Sequence, residues 1–354
     1  MLRVTLVCGC ACVVAASAAA RPQQRPQLAR ALLRPRHSAW QPRPNGRRQR
    51  PCNSTGEGYL ARPRVSALVQ SFQNGDNAAQ MGAGLHAAPG LEVIVNDDSG
   101  ADHEKWRAAL RGPNDYLISS PNLHEVRAYN RMARFASGEF LLLLQGDFCL
   151  PASAAWLEEG LRLFAEFPRL GMLGGNFGFD AVPYKDVAIN ISYGAPPCKP
   201  IPLQTASGAP LRFVAGVNVG PLLLRRETFL QLGGFDEAFS CVGEPGIHLD
   251  MDLSLALWRH GWQVAVWYSA VSNGVGGRRT LRNHAQRRAR RQNDVFNGER
   301  CRHALEAHDD AAVDEANRGL FVPSGTPRGR RTQAYARLGW RKPRACLATA
   351  NVSR

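Results

Sequence analysis

The stretch Phe140-Leu141-Leu142-Leu143-Leu144-Gln145-Gly146-Asp147-Phe148-Cys149-Leu150-Pro151 decides the fold. Its apolar run is too short for a helix and is bounded by Gly138 and Gly146, so it reads as a buried central strand. The strand ends in an acid, Asp147, which Gly146 leaves sterically open, and Pro151 stands where a helix would begin. An acid at the carboxyl end of a parallel strand lies where open α/β sheets take ligands. Aspartate is also a common turn residue, so the neighbours must decide between the two roles.

Working outward, Val65 to Phe72 reads as a first strand, and Leu91 to Val95 as a second that stops at Asn96-Asp97-Asp98-Ser99-Gly100. Asn77 is placed to cap a helix running towards His86. Another helix passes through Trp106 and Leu110, and Tyr116 to Ile118 forms a short third strand. Val126, Tyr129, Asn130 and Ala133 recur at helical spacing within a helix from Leu123 to Phe135. Further helices are expected after Pro151, from Arg225 to Leu232, and around Asp250-Met251-Asp252 up to Gly261. Strands are expected at Leu170 to Leu173 and Trp262 to Trp267. Such alternation predicts an α/β fold with a mostly parallel, Rossmann-like sheet flanked by helices. The acids at the strand ends, Asp97, Asp98 and Asp147, should then meet at one edge, joined by Asp250 and Asp252 from a later helix start. Hard carboxylates in such a cluster suit Mg²⁺ or Mn²⁺ and a diphosphate. Each acid has a structural alternative, since aspartate favours helix N-caps and first turns.

The net charge of +15 suggests a polyanionic partner until its distribution is read. Residues 1–56 hold ten arginines and no acid, leaving +5 for the remainder, so a nucleic-acid partner is not expected. Arg3 precedes an apolar run from Val4 to Ala20, with Ala18-Ala19-Ala20 before Arg21. This fits a signal peptide or a short signal anchor, residues 1–20, the latter giving membrane anchoring through the N-terminus. A plastid transit peptide shares the composition. Residues 21–60, rich in Arg-Pro and Gln-Pro, read as a disordered stem. One domain is expected over 61–300, with a polar, partly disordered tail over 301–354. Outside the leader six cysteines remain, and sequons stand at Asn53, Asn190 and Asn351. Together these point to the secretory pathway, in the Golgi or ER lumen, with secretion or a plastid as alternatives.

The order of these motifs resembles the family 2 glycosyltransferases, inverting enzymes with the GT-A fold. The resemblance covers roughly Val65 to Phe296. It rests on Ser71-Phe72-Gln73-Asn74, Asn96-Asp97-Asp98-Ser99, Asn122, Arg127 through Asn130 to Phe140, Asp147 with Pro151, Gly233-Gly234-Phe235-Asp236-Glu237, Asp250-Met251-Asp252-Leu253 and Gly261-Trp262. It implies a nucleotide-sugar donor and a glycan, lipid or protein hydroxyl as acceptor. Asp97 or Asp98 would contact the base or ribose, with Asn130 and Gln145 also on the donor side. Asp147 would hold Mn²⁺ or Mg²⁺ through the diphosphate, and Asp250 would be the catalytic base. Gln145 departs from the family's first Asp of Asp-x-Asp, and Leu249 from the Glu that commonly precedes the base. Asn273 stands where many members place a metal-binding His, with His284 a poorly matching substitute. These departures raise a second reading, a non-catalytic relative that binds a carbohydrate or a protein partner.

Overall fold

The computed structural model describes residues 63–175, 178–179, 203–267, 269, 271–273, 284–308 and 310–320. The leader, the stem, all three sequons and Arg278, Arg279 and Arg282 lie outside them.

The first half of the domain alternates strand and helix as expected. β1 (Val65–Ser71), β2 (Glu92–Asp97), β3 (Asp115–Ser119) and β4 (Phe140–Gln145) are parallel, in the order β3-β2-β1-β4. They are linked through α1 (Ala78–His86), α2 (His103–Ala109) and α3 (His124–Phe135). Past β4 the eight-stranded sheet continues with β10 (Leu222–Arg225), β6 (Leu170–Gly174), β11 (Gln263–Trp267) and β8 (Leu211–Phe213). β10 is antiparallel to both β4 and β6, β11 is parallel to β6, and β8 is antiparallel to β11. Six of the eight strands therefore share one direction, and the mostly parallel α/β sheet read from the sequence is the one observed.

The leucine run is continuous because both of its faces are covered. Leu142 and Leu144 join one core with Val69, Val95, Met81 and Trp106, while Leu141 and Leu143 join the other with Ile94, Tyr129, Met132 and Met251. Side chains alternate across a strand, so a strand packed on both sides needs apolar residues at every position.

Two local expectations are corrected. Asn77 is the N-cap residue of α1 but makes no capping bond. Its Nδ2 instead donates to Gly146 O at 2.9 Å and Phe148 O at 2.8 Å, tying α1 to the turn after β4. The helix after Pro151, α4 (Ala155–Glu166), begins later than proline suggests, where Ser153 Oγ accepts the Ala155 N–H at 3.3 Å.

The remaining strands are short: β5 (Phe148–Cys149), β7 (Gly178–Phe179), β9 (Gly216–Val217) and β12 (Ser272–Asn273). Four more helices follow: α5 (Arg226–Gln231), α6 (Leu249–Arg259), α7 (His284–Glu306) and α8 (Asp310–Arg318). The expected tail boundary at 300 falls inside α7, and α8 docks on β8, where Asn317 exchanges hydrogen bonds of 2.9 Å with the Phe213 backbone. Among the described residues no helix is long and apolar enough to cross a membrane. Cys149 is disulfide-bonded, whereas Cys301 is a buried free thiol, so the six cysteines outside the leader do not all pair.

Candidate functional site

Parallel strands β1, β2 and β4 end together, and their last residues build the floor of the candidate site. Asp97 and Asp98 are both there, but neither carboxylate faces open space. Asp97 Oδ1 accepts the Ser99 and Gly100 N–H groups at 3.2 and 3.1 Å and the Ser99 hydroxyl at 2.8 Å. Asp97 Oδ2 accepts the N–H of Asp102, the N-cap residue of α2, at 3.1 Å. Asp98 caps α3 from across the sheet edge, accepting Leu123 N–H at 2.6 Å and His124 N–H at 2.8 Å. Ser120 and the Gln70 amide complete its shell at 2.6 and 3.0 Å. Helix N-termini leave orphan N–H groups that a carboxylate satisfies well. Both carboxylates thus hold the loops at this edge in shape.

Asn130 is likewise a structural clamp. Its Nδ2 donates to Phe235 O and its Oδ1 accepts from Phe235 N, both at 2.8 Å, pinning the Gly233-Gly234 turn to α3. Gly234 has φ +79°, and a Cβ there would stand 2.4 Å from Asn130 Oδ1, so only glycine fits.

Asp147 differs from Asp97 and Asp98. It is half-buried on the turn after β4, and burial raises its carboxyl above the usual range, assisted by the nearby charge of Glu125 and opposed by its own backbone N–H. Gly146 beside it serves a different purpose from the expected one: a Cβ there would lie 2.8 Å from Ser71 Oγ, so the glycine lets β1 and the β4 turn approach closely. Gln145, half-buried at the end of β4, pairs in register with Gln70 of β1. Asn273 pairs with Phe148, which brings its backbone next to Asp147.

Asp250 reaches this edge by a route invisible in local sequence. Leu222 of β10 pairs antiparallel with Leu143, so the preceding residues run back towards Gln145 and Gly146. A Cβ on Gly220 would stand 3.5 Å from the Phe148 ring. Val219 N–H then donates to Asp250 Oδ2 at 2.8 Å, and Met251 N–H to Oδ1 at 3.0 Å. Burial raises the Asp250 carboxyl, against the pull of those two N–H groups and the charge of His248. Leu249, where the family has an acid, is buried in the core, so this position does not face the site.

The structure adds a pair that the sequence did not single out, Glu125 and His124 in the first turn of α3. Burial alone would raise Glu125, but its hydrogen bond and charge pairing with His124, with Arg290 beyond, bring it below the usual range. His124 is correspondingly raised by Glu125, Asp98 and Gln286 against its own burial. No local signal distinguishes Glu125 from an ordinary first-turn acid. Among the described residues no group of three His, Cys, Asp or Glu side chains converges as a metal site. A cleft of about 440 Å³ lined by Asn130, Arg134, Gly233, Asp236, Asp252 and Ala256 lies elsewhere. It sits roughly 8–15 Å along α3 from His124 and Glu125 and includes neither Asp147 nor Asp250.

Fold and ordered motifs together define a glycosyltransferase-like α/β protein, similar to the family 2 glycosyltransferases. No family model matches the chain. The O-antigen biosynthesis protein RfbC of Myxococcus xanthus is 28% identical over 216 residues, covering 57% of this chain and 16% of RfbC. The matched region is thus a small part of that relative. Among solved structures, S. aureus TarS superposes with a TM-score of 0.41 at 15% identity, over 58% of this chain and 35% of TarS. A CMP:2-keto-3-deoxy-manno-octonic acid synthetase complexed with CTP superposes with a TM-score of 0.37 at 14% identity, over 60% of this chain and 92% of its own. Likenesses this low carry no weight for the activity.

Proposed function

We propose that this protein is an inverting glycosyltransferase that moves a sugar from a nucleotide-diphosphate sugar to the hydroxyl of a glycan, lipid or protein. The observation carrying this reading is that Asp147 and Asp250, 103 positions apart in sequence, reach one sheet edge through the β4–β10 register and the Val219 N–H. Asp250 is the base: its oxygens are oriented by two N–H groups, and burial raises its proton affinity towards that of an effective general base. It takes the acceptor proton as the hydroxyl oxygen attacks the anomeric carbon and the nucleoside diphosphate leaves from the opposite face. The donor lies over the loops that Asp97 and Asp98 hold in shape. Mg²⁺ or Mn²⁺ would be held by Asp147, with Glu125 alongside; such ions take one or two carboxylates and fill their shell with phosphate and water, a donor set these residues fit. When bound, the ion neutralises diphosphate charge. Action in the secretory pathway, with the N-terminus as signal or anchor, belongs to the same proposal.

The test is nucleotide release by the purified full chain from UDP- and GDP-sugars, with Mn²⁺ or EDTA and a mixed acceptor panel. Metal-dependent release, abolished by Asp147→Ala and Asp250→Asn, supports the enzyme. Donor binding without turnover supports instead a carbohydrate-binding relative, and no nucleotide binding by folded protein sinks the donor site altogether.

A further inference from the structure

α7 lies along the segment that leads into the Asp250 helix and grips its backbone at regular intervals. Gln286 Nε2 donates to Gly243 O at 2.9 Å, Asn293 Nδ2 to Pro245 O at 3.0 Å, and Asn297 Nδ2 to Ile247 O at 3.0 Å. The Cys301 thiol continues the row onto His248 O at 3.7 Å. These four side chains stand at helical repeats, so they form one stripe of α7; the first three take every second carbonyl from 243 to 247, and Cys301 takes the next one, at 248. The row satisfies carbonyls of a segment that has no strand or helix partner of its own and so fixes its path into α6.

His248 closes the segment. It is 7% exposed and has φ +66°, a left-handed conformation that costs a non-glycine residue energy. Its Nε2 is 3.0 Å from Asp294 Oδ1 on the same α7. Gly298, one turn further, also lies beside the ring, its Cβ position 3.6 Å from Nε2, an ordinary van der Waals contact. His248 Nδ1 is buried and has no hydrogen-bond partner among the described residues. Two positions on, Asp250 feels the charge of this ring.

We infer that Asp294 and His248 form a positioning pair for Asp250, fixing the first turn of α6 and setting the imidazole beside that carboxylate. The pair deepens the glycosyltransferase proposal and rests on its assignment of Asp250 as base. Asp294 acts through the ring and α7 holds the ring in place, so neither touches substrate. The other charged or titratable groups acting around this end of α6 include Asp252, Cys301, Arg300 with its ion-paired Asp236, and Arg259, with Glu244 on the gripped segment.

The experiment uses the full chain with ¹³C-labelled aspartate, the Asp250 carboxyl signal being assigned from Asp250→Asn. His248→Asn suits the positive φ and removes the ring, while Asp294→Ala alters an exposed position that cannot unfold the core. In both variants the Asp250 titration is expected to move upward. Donor turnover should fall about 10- to 100-fold in kcat with donor KM little changed, as for a mispositioned catalytic group. Asp294→Glu, which keeps the charge, should recover most of the loss. An unmoved Asp250 titration in folded His248→Asn and Asp294→Ala overturns the pair. An Asp250 titration that moves in both variants, while the wild-type protein turns over no donor, leaves the pair standing and removes the assignment of Asp250 as base.

Discussion

Asn130 brackets the backbone of Phe235, giving one hydrogen bond and taking one, each 2.8 Å long, across 105 positions of sequence. Both partners are buried, so truncation would leave a buried N–H and a buried C=O unpaired. Asn130→Ala is therefore expected to cost about 2–4 kcal/mol, read from urea unfolding, since each orphaned group costs about 1–3 kcal/mol. Donor affinity should change far less. A variant of normal stability that no longer binds nucleotide would instead return Asn130 to the donor side, as the motif implied.

Asp98 makes a parallel case. Its carboxylate accepts from two backbone N–H groups, a hydroxyl and an amide. In Asp98→Asn one oxygen becomes a donor facing donors, and α3 loses part of its cap. The expected loss is about 2–3 kcal/mol, checked by the same unfolding experiment. Normal unfolding would show that the shell rearranges freely.

Gly146→Ala tests the close approach beneath the site. The new Cβ meets Ser71 Oγ at 2.8 Å and Ser71 Cα at 3.1 Å. Overpacking of this kind costs about 1–3 kcal/mol, and the shift falls on the residue next to Asp147. Turnover should drop at least about tenfold if Asp147 must keep its place, a result that calorimetry and kinetics on one preparation can separate from simple unfolding.

Asp147 gives a pH prediction with an unusual sign. Its folded proton affinity is raised above the unfolded value, chiefly by burial. Stability from this group is therefore fully present below the unfolded pKa and is lost as pH rises through the folded one. Asp147→Asn should raise Tm at neutral pH and make no difference in acid, while abolishing metal-dependent turnover. An equal Tm gain at both pH values would show that the effect is not protonation.

Cys301 is expected to be silent towards thiol reagents. Burial first, and then the charges of Asp252 and Asp250, push its thiol up to about 12. At pH 8 that leaves roughly one thiolate in ten thousand. Labelling of native protein with a disulfide reagent should miss Cys301 until denaturant is added, and rapid labelling would mean that α7 opens from α6.

The sequence alone determined the α/β alternation, the buried leucine strand and the meeting of acids at the strand ends. These are local properties: apolar run length, helical spacing, and glycine or aspartate at the stops carry them without knowledge of the partners. Only the tertiary structure decided which partners each acid meets. Asp97, Asp98, Asp147 and Asp250 look alike in sequence, yet Asp98 is consumed by amides 25 and 26 positions away, and Asp250 is brought to the edge by Val219 and the reversed strand β10. The same holds for α7, which crosses the expected tail boundary at residue 300 and whose stripe of Gln286, Asn293, Asn297 and Cys301 holds the segment before Asp250. A carboxylate's role depends on which buried N–H groups have no other partner, and that is settled by packing between distant segments.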